Sequence, residues 1–321
     1  MLDQRPDQDG RERQVRLALS RADHHRRRRR VAAAALGGVL VLLGLLVAVS
    51  SGSSGSWDPV RLRDGAVAEL PKLRLEEQAR KAAQVIAARK RERTLENAAI
   101  AQTLEQTPFV RIAGDQTRSV ALTFDDGPSP YTQRILDTLQ RGGAKATFFT
   151  LGNQLASFPI PLQRALAEGH AIGDHTWNHA DLTKLSPKDV AAEMTDASSA
   201  LVAAGVPKPT LFRPPYGAYN EQTLAAAKRK GMLTVMWTID TTDYSAANPA
   251  TMAEQVLAQI RPGAIILMHD GGGNRTVTGQ ALPLIVRGLK KQGYKMVTVP
   301  QLLMSNPAPA QQDSVTRSPT A

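Results

Sequence analysis

From Phe109 onward, short apolar runs alternate with stretches of helical period, and the alternation repeats about seven times. The runs are Val120–Phe124, Ala146–Leu151, Ala171–Asp174, Leu211–Arg213, Leu233–Thr238, Ala264–His269 and Met296–Val299. Between them lie helical stretches at Thr132–Arg141, Pro161–Glu168, Pro187–Ala204, Asn220–Lys230, Pro249–Ile260 and Gly279–Gln292. Such repetition demands parallel strands, because each helix carries the chain back to begin the next strand in the same direction. Seven repeats predict an α/β sheet closed or nearly closed into a barrel, whose functional groups stand at the C-terminal ends of its strands. The ionisable residues fall there. Asp125 and Asp126 follow Phe124, His175 and His179 follow the third strand, and Arg213 ends the fourth. Asp240 and Asp243 follow the fifth, and His269 and Asp270 end the sixth.

The chain ahead of this region has a different character. Val31 to Val49 carries no charge and is long enough to cross a bilayer as a helix. Five consecutive arginines, Arg26–Arg30, stand directly before it, and such a cluster stays on the cytoplasmic side. The expected topology is a basic cytoplasmic segment over 1–30, a membrane anchor over 31–50, and everything later outside the cell membrane. Cleavage near Ala48–Ser50, which would release a secreted protein, is the alternative. Residues 51–108 divide into a Ser/Gly linker and a helical stalk at Pro71–Gln106. There Leu73, Ala79, Ala83, Ile86 and Ala87 suggest an amphipathic helix. Its heptad signal is weak and leaves the oligomeric state open. A barrel domain spans 109–305, and the Pro- and Gln-containing tail at 306–321 reads as disordered.

The formal net charge of +11 raises nucleic-acid binding as a function. Its distribution argues against this: residues 110–305 hold 19 Lys and Arg against 15 Asp and Glu, without the clustered basic face such binding needs. The chain has no cysteine, which excludes disulfides and thiolate metal sites. Any metal must be held by His, Asp or Glu.

The pair His175 and His179 is spaced so that a helical turn would put both imidazoles on one face. Two histidines and a carboxylate, with one position open for water, make a catalytic metal site. Taken alone, such a pair is more often structural or on the surface than metal-binding, and Asp125-Asp126-Gly127-Pro128 alone reads as a solvated turn. Two crowded carboxylates at the end of a buried strand nevertheless call for a cation to relieve their repulsion.

Taken together, five segments resemble the ordered motifs of the polysaccharide deacetylases, carbohydrate esterase family 4, with their NodB-homology domain. They are Thr123-Phe124-Asp125-Asp126-Gly127-Pro128-Ser129, His175-Thr176-Trp177-Asn178-His179, Arg213-Pro214-Pro215-Tyr216-Gly217, Asp240-Thr241-Thr242-Asp243 and Leu267-Met268-His269-Asp270. The resemblance implies a distorted (β/α)7 barrel and removal of acetyl groups from sugars. It implies that Asp126, His175 and His179 bind a divalent metal, first of all Zn2+, with Co2+, Mn2+ or Ni2+ as alternatives. It makes Asp125 the general base, His269 the general acid, Arg213 the partner of the base and Asp240 the residue that orients the acid. The Tyr216 backbone N–H would face the oxyanion, and Trp237 and Leu267 would line the acetyl pocket. Tyr244 stands where the family usually has Trp after the second Asp, which keeps an aromatic face for a sugar. With an extracytoplasmic location, the expected partner is an acetylated cell-wall polysaccharide, most of all peptidoglycan N-acetylglucosamine. Alternatives are N-acetylmuramic acid, chito-oligosaccharides and O-acetylated xylan, or a silent wall-binding protein. A glycosidase using Asp240 and Asp243 would leave both histidines unexplained.

Overall fold

A computed structural model describes residues 66–312. The basic segment, the membrane anchor, the Ser/Gly linker and residues 313–321 lie outside the described residues. The chain divides into two compact units, Met1–Arg74 and Leu75–Ala321. Of the first unit, the described residues are the opening turns of helix α1 (Ala66–Gln106). No helix of the described residues is long and apolar enough to cross a membrane.

The second unit is built on a nine-stranded sheet in which every strand pair is parallel. All seven expected strands form: β2 (Ser119–Gly127), β3 (Ala146–Thr150), β4 (Ala171–Asp174), β5 (Leu211–Phe212), β6 (Leu233–Val235), β8 (Ile265–His269) and β9 (Lys295–Val297). Two short strands add to them, β1 (Phe109–Val110) and β7 (Ile239–Asp240). The order is β1-β6-β5-β4-β3-β2-β8-β7, with β9 beside the start of β2. This is the parallel α/β arrangement that the expected barrel requires. The connecting helices are α2 (Thr132–Gly142), α3 (Pro159–Ala167), α4 (Pro187–Ala203), α5 (Glu221–Arg229), α6 (Pro249–Gln259) and α7 (Thr276–Lys291), followed by α8 (Val299–Ser305).

β2 is buried along all nine residues, as a central parallel strand covered on both faces must be. Its side chains alternate between two cores. Val120, Leu122 and Phe124 join the cluster that also holds Ile135, Leu136 and Leu139 of α2, whereas Ala121 joins the cluster of Phe149, Leu211, Leu233, Val235 and Ile265. The period of two therefore puts Thr123 and Asp125 on the second face, together with Leu267 and His269 of β8. The inner face of the sheet is apolar at its lower end and ionisable at its upper end.

Two features differ from the expectations. α1 forms, but every residue from Glu77 to Leu95 is exposed, including Ala79, Ala83, Ile86 and Ala87. Its basic residues stand on all sides, so no apolar stripe is covered until Ile100 and Leu104 enter the inner core cluster. The tail is also ordered further than its composition suggested. Asn306 is fully buried, its side-chain oxygen accepting from the Thr117 backbone N–H and hydroxyl at 2.9 and 2.7 Å. The Gln312 side chain accepts from Arg111 N and Ile112 N and donates to Ile112 O. These bonds fix the residues just after α8 as a strap across the Arg111–Thr117 segment.

Candidate active site

The strand ends bring most of the predicted residues together. β2 and β8 pair in register, with Asp125 opposite His269. Arg213, just past β5, is fully buried and reaches across to Asp125, its Nη1 donating to Oδ1 at 2.8 Å. The same guanidinium donates to Thr123 Oγ1, Val235 O and Met236 O, and lies 4.1 Å from the centre of the Phe149 ring. A buried arginine needs such a full set of acceptors, and the Asp125 carboxylate is held in one orientation as a result.

Asp126 faces elsewhere. Its backbone is left-handed, φ 71°, a conformation Asp tolerates better than most residues, and this turns its side chain away from that of Asp125. Asp126 Oδ1 lies 3.3 Å from His175 Nε2 and 3.2 Å from His179 Nε2. One ligand atom from each residue fits within 4.8 Å of the others. Three donors bound at ~2 Å to one tetrahedral ion are about 3.3 Å apart. Asp126 Oδ1 is buried with no hydrogen-bond partner, which is what a metal-facing oxygen looks like without its ion. His175 Nδ1 sits 2.8 Å from the Arg213 carbonyl. That contact places the proton on Nδ1 and leaves Nε2 as a lone-pair donor toward Asp126, the arrangement that orients metal-ligating histidines. The residues fit a divalent metal. Burial alone would raise the Asp126 carboxyl, but His175, His179 and His269 beside it hold it well below the usual carboxylate range. Gly272 closes this side of the site at φ 69°, and a Cβ there would come within 2.3 Å of Asp126 Oδ2.

His269 Nδ1 bonds Asp243 Oδ1 at 2.7 Å, and the His269 backbone N–H donates to Asp243 Oδ2. Thr278 Oγ1 donates to the same oxygen. This corrects the expectation for Asp240. Asp240 is exposed, and its side chain accepts from Thr242 N at 2.8 Å. The chain then turns through a left-handed Thr242, φ 49°, and delivers Asp243 beneath the imidazole. Burial would lower the His269 pKa, but the Asp243 bond and charge raise it, with Asp125 and Asp126 adding to the effect.

Asp270, to which the sequence assigned no role, and Thr132 support the β2 end. Asp270, fully buried, accepts from Thr132 Oγ1 at 2.5 Å, and its backbone N–H donates to Asp125 O. Burial pushes its carboxyl up to about 7 against the Thr132 bond, with the Asp126 and Asp125 charges pushing the same way.

The aromatic residues flank the imidazoles. The Tyr216 ring is 4.5 Å from that of His179, and the Tyr244 ring 5.8 Å from that of His269. They remain 68% and 52% exposed. Tyr216 is left-handed at φ 60° in the turn Pro215–Gly217. Trp237 packs beside Gly217, where a Cβ would meet its ring at 2.6 Å, and Leu267 is buried on the inner face two residues before His269.

The chain is similar to known proteins over this region. The polysaccharide deacetylase profile matches residues 113–235. The peptidoglycan-N-acetylglucosamine deacetylase PgdA of Listeria monocytogenes is 40% identical over 186 residues, covering 58% of this chain and 39% of the relative. This chain therefore matches about two-fifths of that protein's length. A chitooligosaccharide deacetylase of a Bradyrhizobium strain is 38% identical, over 58% of this chain and 91% of its own. Among solved structures, the Bc1960 peptidoglycan N-acetylglucosamine deacetylase aligns with a TM-score of 0.61 and 33% identity, over 64% of this chain and 97% of that one. Likeness of this extent, in sequence and in coordinates alike, makes the chain a member of the polysaccharide deacetylase family.

Proposed function

We propose that this protein is a metal-dependent deacetylase that hydrolyses N-acetyl groups of cell-wall polysaccharide, with peptidoglycan N-acetylglucosamine as its substrate. The observation that carries this reading is the convergence of Asp126, His175 and His179 beside two separately supported groups, Asp125 on Arg213 and His269 on Asp243. The names of the Listeria relative and of the aligned structure favour the substrate.

Asp126, His175 and His179 would hold the metal, with Zn2+ first among the candidates because imidazole and carboxylate suit it. A divalent ion supplies polarisation of the acetyl carbonyl and a lowered pKa for the attacking water. Asp125, fixed by Arg213, takes the water proton. The Tyr216 backbone N–H serves the oxyanion that follows. His269 then protonates the departing nitrogen from Nε2, since Nδ1 is engaged by Asp243. Without that proton the amide nitrogen would have to leave as an anion, which makes a neutral-range acid such as imidazole the fitting donor. Trp237 and Leu267 wall the acetyl methyl, and Tyr216 and Tyr244 receive the neighbouring sugars.

For location, we propose an uncleaved anchor over 31–50 that keeps the domain outside the membrane. The uncharged run Val31–Val49 behind Arg26–Arg30 supports it.

The decisive experiment is acetate release from peptidoglycan by the zinc-loaded protein. Release is expected, with loss on chelation. Asp125→Ala should reduce turnover by about 10²–10⁴ with metal retained, the range typical of a lost general base. His179→Ala should lose the metal itself. No acetate from peptidoglycan or chito-oligosaccharides under Zn2+, Co2+, Mn2+ or Ni2+ would overturn the proposal.

A further inference from the structure

The loop that carries both metal-facing histidines is conformationally demanding. Thr176 and His179 are left-handed, φ 70° and 66°, and for a β-branched threonine that is a true outlier. Such a backbone persists only where its surroundings over-determine it. Here the four consecutive N–H groups from Thr176 to His179 all donate to side-chain oxygens. Thr176 N donates to Asp174 Oδ1 at 2.8 Å, and His179 N to Thr176 Oγ1 at 3.1 Å. Trp177 N and Asn178 N both donate to one oxygen of Glu193, at 3.0 and 3.1 Å.

Glu193 lies on α4, outside all five motifs. The same helix carries Ser198, whose Oγ donates to Asp174 Oδ2 at 2.6 Å. Asp174 immediately precedes His175. α4 therefore grips the histidine loop at two points, five residues apart: Glu193 at its middle and Ser198, through Asp174, at its entrance. Between them, Ala197 packs so close to Gly152 that a Cβ on that glycine would lie 2.8 Å from the Ala197 backbone. Gly152 N and Asn153 N in turn donate to the carbonyls of Thr176 and Trp177.

We propose that Glu193 and Ser198 are positioning residues for the metal site, through which α4 holds the His175–His179 loop in its ligand geometry before metal arrives. The ordinary reading of Glu193 is a solvent-facing acid on a helix. Its single oxygen shared by two adjacent loop N–H groups is a capping arrangement that a merely solvated acid does not make. The proposal rests on the metal reading of Asp126, His175 and His179.

The test measures zinc affinity of the full chain by competition with a chromophoric chelator, alongside the visible spectrum of the Co2+ form and the unfolding midpoint of the metal-free protein. Glu193→Ala is expected to bind zinc about 10–100-fold more weakly, the usual cost of losing a partner behind a metal ligand. Its Co2+ spectrum should change while the metal-free midpoint stays near that of the wild type. Glu193→Gln retains an oxygen that accepts both N–H groups and should restore affinity and spectrum. Wild-type zinc affinity in Glu193→Ala, or no rescue by Gln, overturns the proposal. If Glu193→Ala does not fold, Ser198→Ala decides: weakened zinc binding supports the two-point grip, and wild-type affinity ends it. A wild-type chain that binds no metal would fail one step earlier, removing the metal reading and this inference with it.

Discussion

In the proposed mechanism His269 must hold a proton and then release it, and its neighbours set the pH range in which it is available. Burial works against the charged imidazole, and Asp243 overrides it with a hydrogen bond and a full charge. The raised pKa keeps the acid protonated to higher pH, and the rate falls as pH climbs through it. Asp243→Asn removes the charge, lowers the His269 pKa, and should move the alkaline fall of kcat/KM to lower pH. Asp240→Asn, which removes a charge near His269 but no hydrogen bond to it, should move that limb far less. A pH–rate profile of the two variants separates them. The choice between these aspartates was beyond what their order in the chain could tell. Asp240 ends β7 and Asp243 follows it by three residues, and only the left-handed turn at Thr242 determines which reaches the imidazole. The gathering of Asp125, Asp126, His175, His179, Arg213 and His269 at one rim was legible because they stand at or just past strand ends, whereas their separate roles were legible only through the resemblance of the five segments.

The elements were legible in proportion to how much their own residues decide. β2, β3, β4 and β8 are runs of β-branched, aromatic and aliphatic residues buried on both faces, and their limits lie within three residues of those read from composition. β1 and β7 are two residues each and exist only because a neighbour offers a paired edge. Glu193 was illegible for the same reason: on α4 it is one acid among several, and its role belongs to the loop it touches. The strap after α8 is the clearest case, since a Pro, Ala and Gln composition says nothing of a side chain that pairs like a strand. Asn306 is its anchor. Asn306→Ala would remove the buried side chain that bonds the Thr117 N–H and hydroxyl, and because Thr117 itself is exposed and can turn to water it should lower stability by about 1 kcal/mol, measured by denaturant unfolding. Gln312→Ala, at a less buried contact, should cost less.

For the molecule as a whole, the site is a gathering of separate strand ends, so an ion bound there ties distant parts of the chain together. A ligand that binds only the folded form stabilises it by about 2.7 kcal/mol at a hundredfold excess over Kd. Zinc should therefore raise the unfolding midpoint in a concentration-dependent way, and His179→Ala should abolish the rise. An equal rise in that variant would place the ion elsewhere.

Asp125 and Asp126 are adjacent and chemically identical, yet one left-handed residue sends them to different partners, Arg213 for the first and His175 with His179 for the second. In the proposed mechanism, metal binding and turnover would thereby be uncoupled at the level of the gene. On the proposed roles, a single base change at codon 125 would silence hydrolysis while sparing the metal-facing residues, the aromatic rim and the sheet. On that reading the fold stands one substitution away from a second life as a lectin-like protein, one that would still recognise the proposed polymer and no longer alter it.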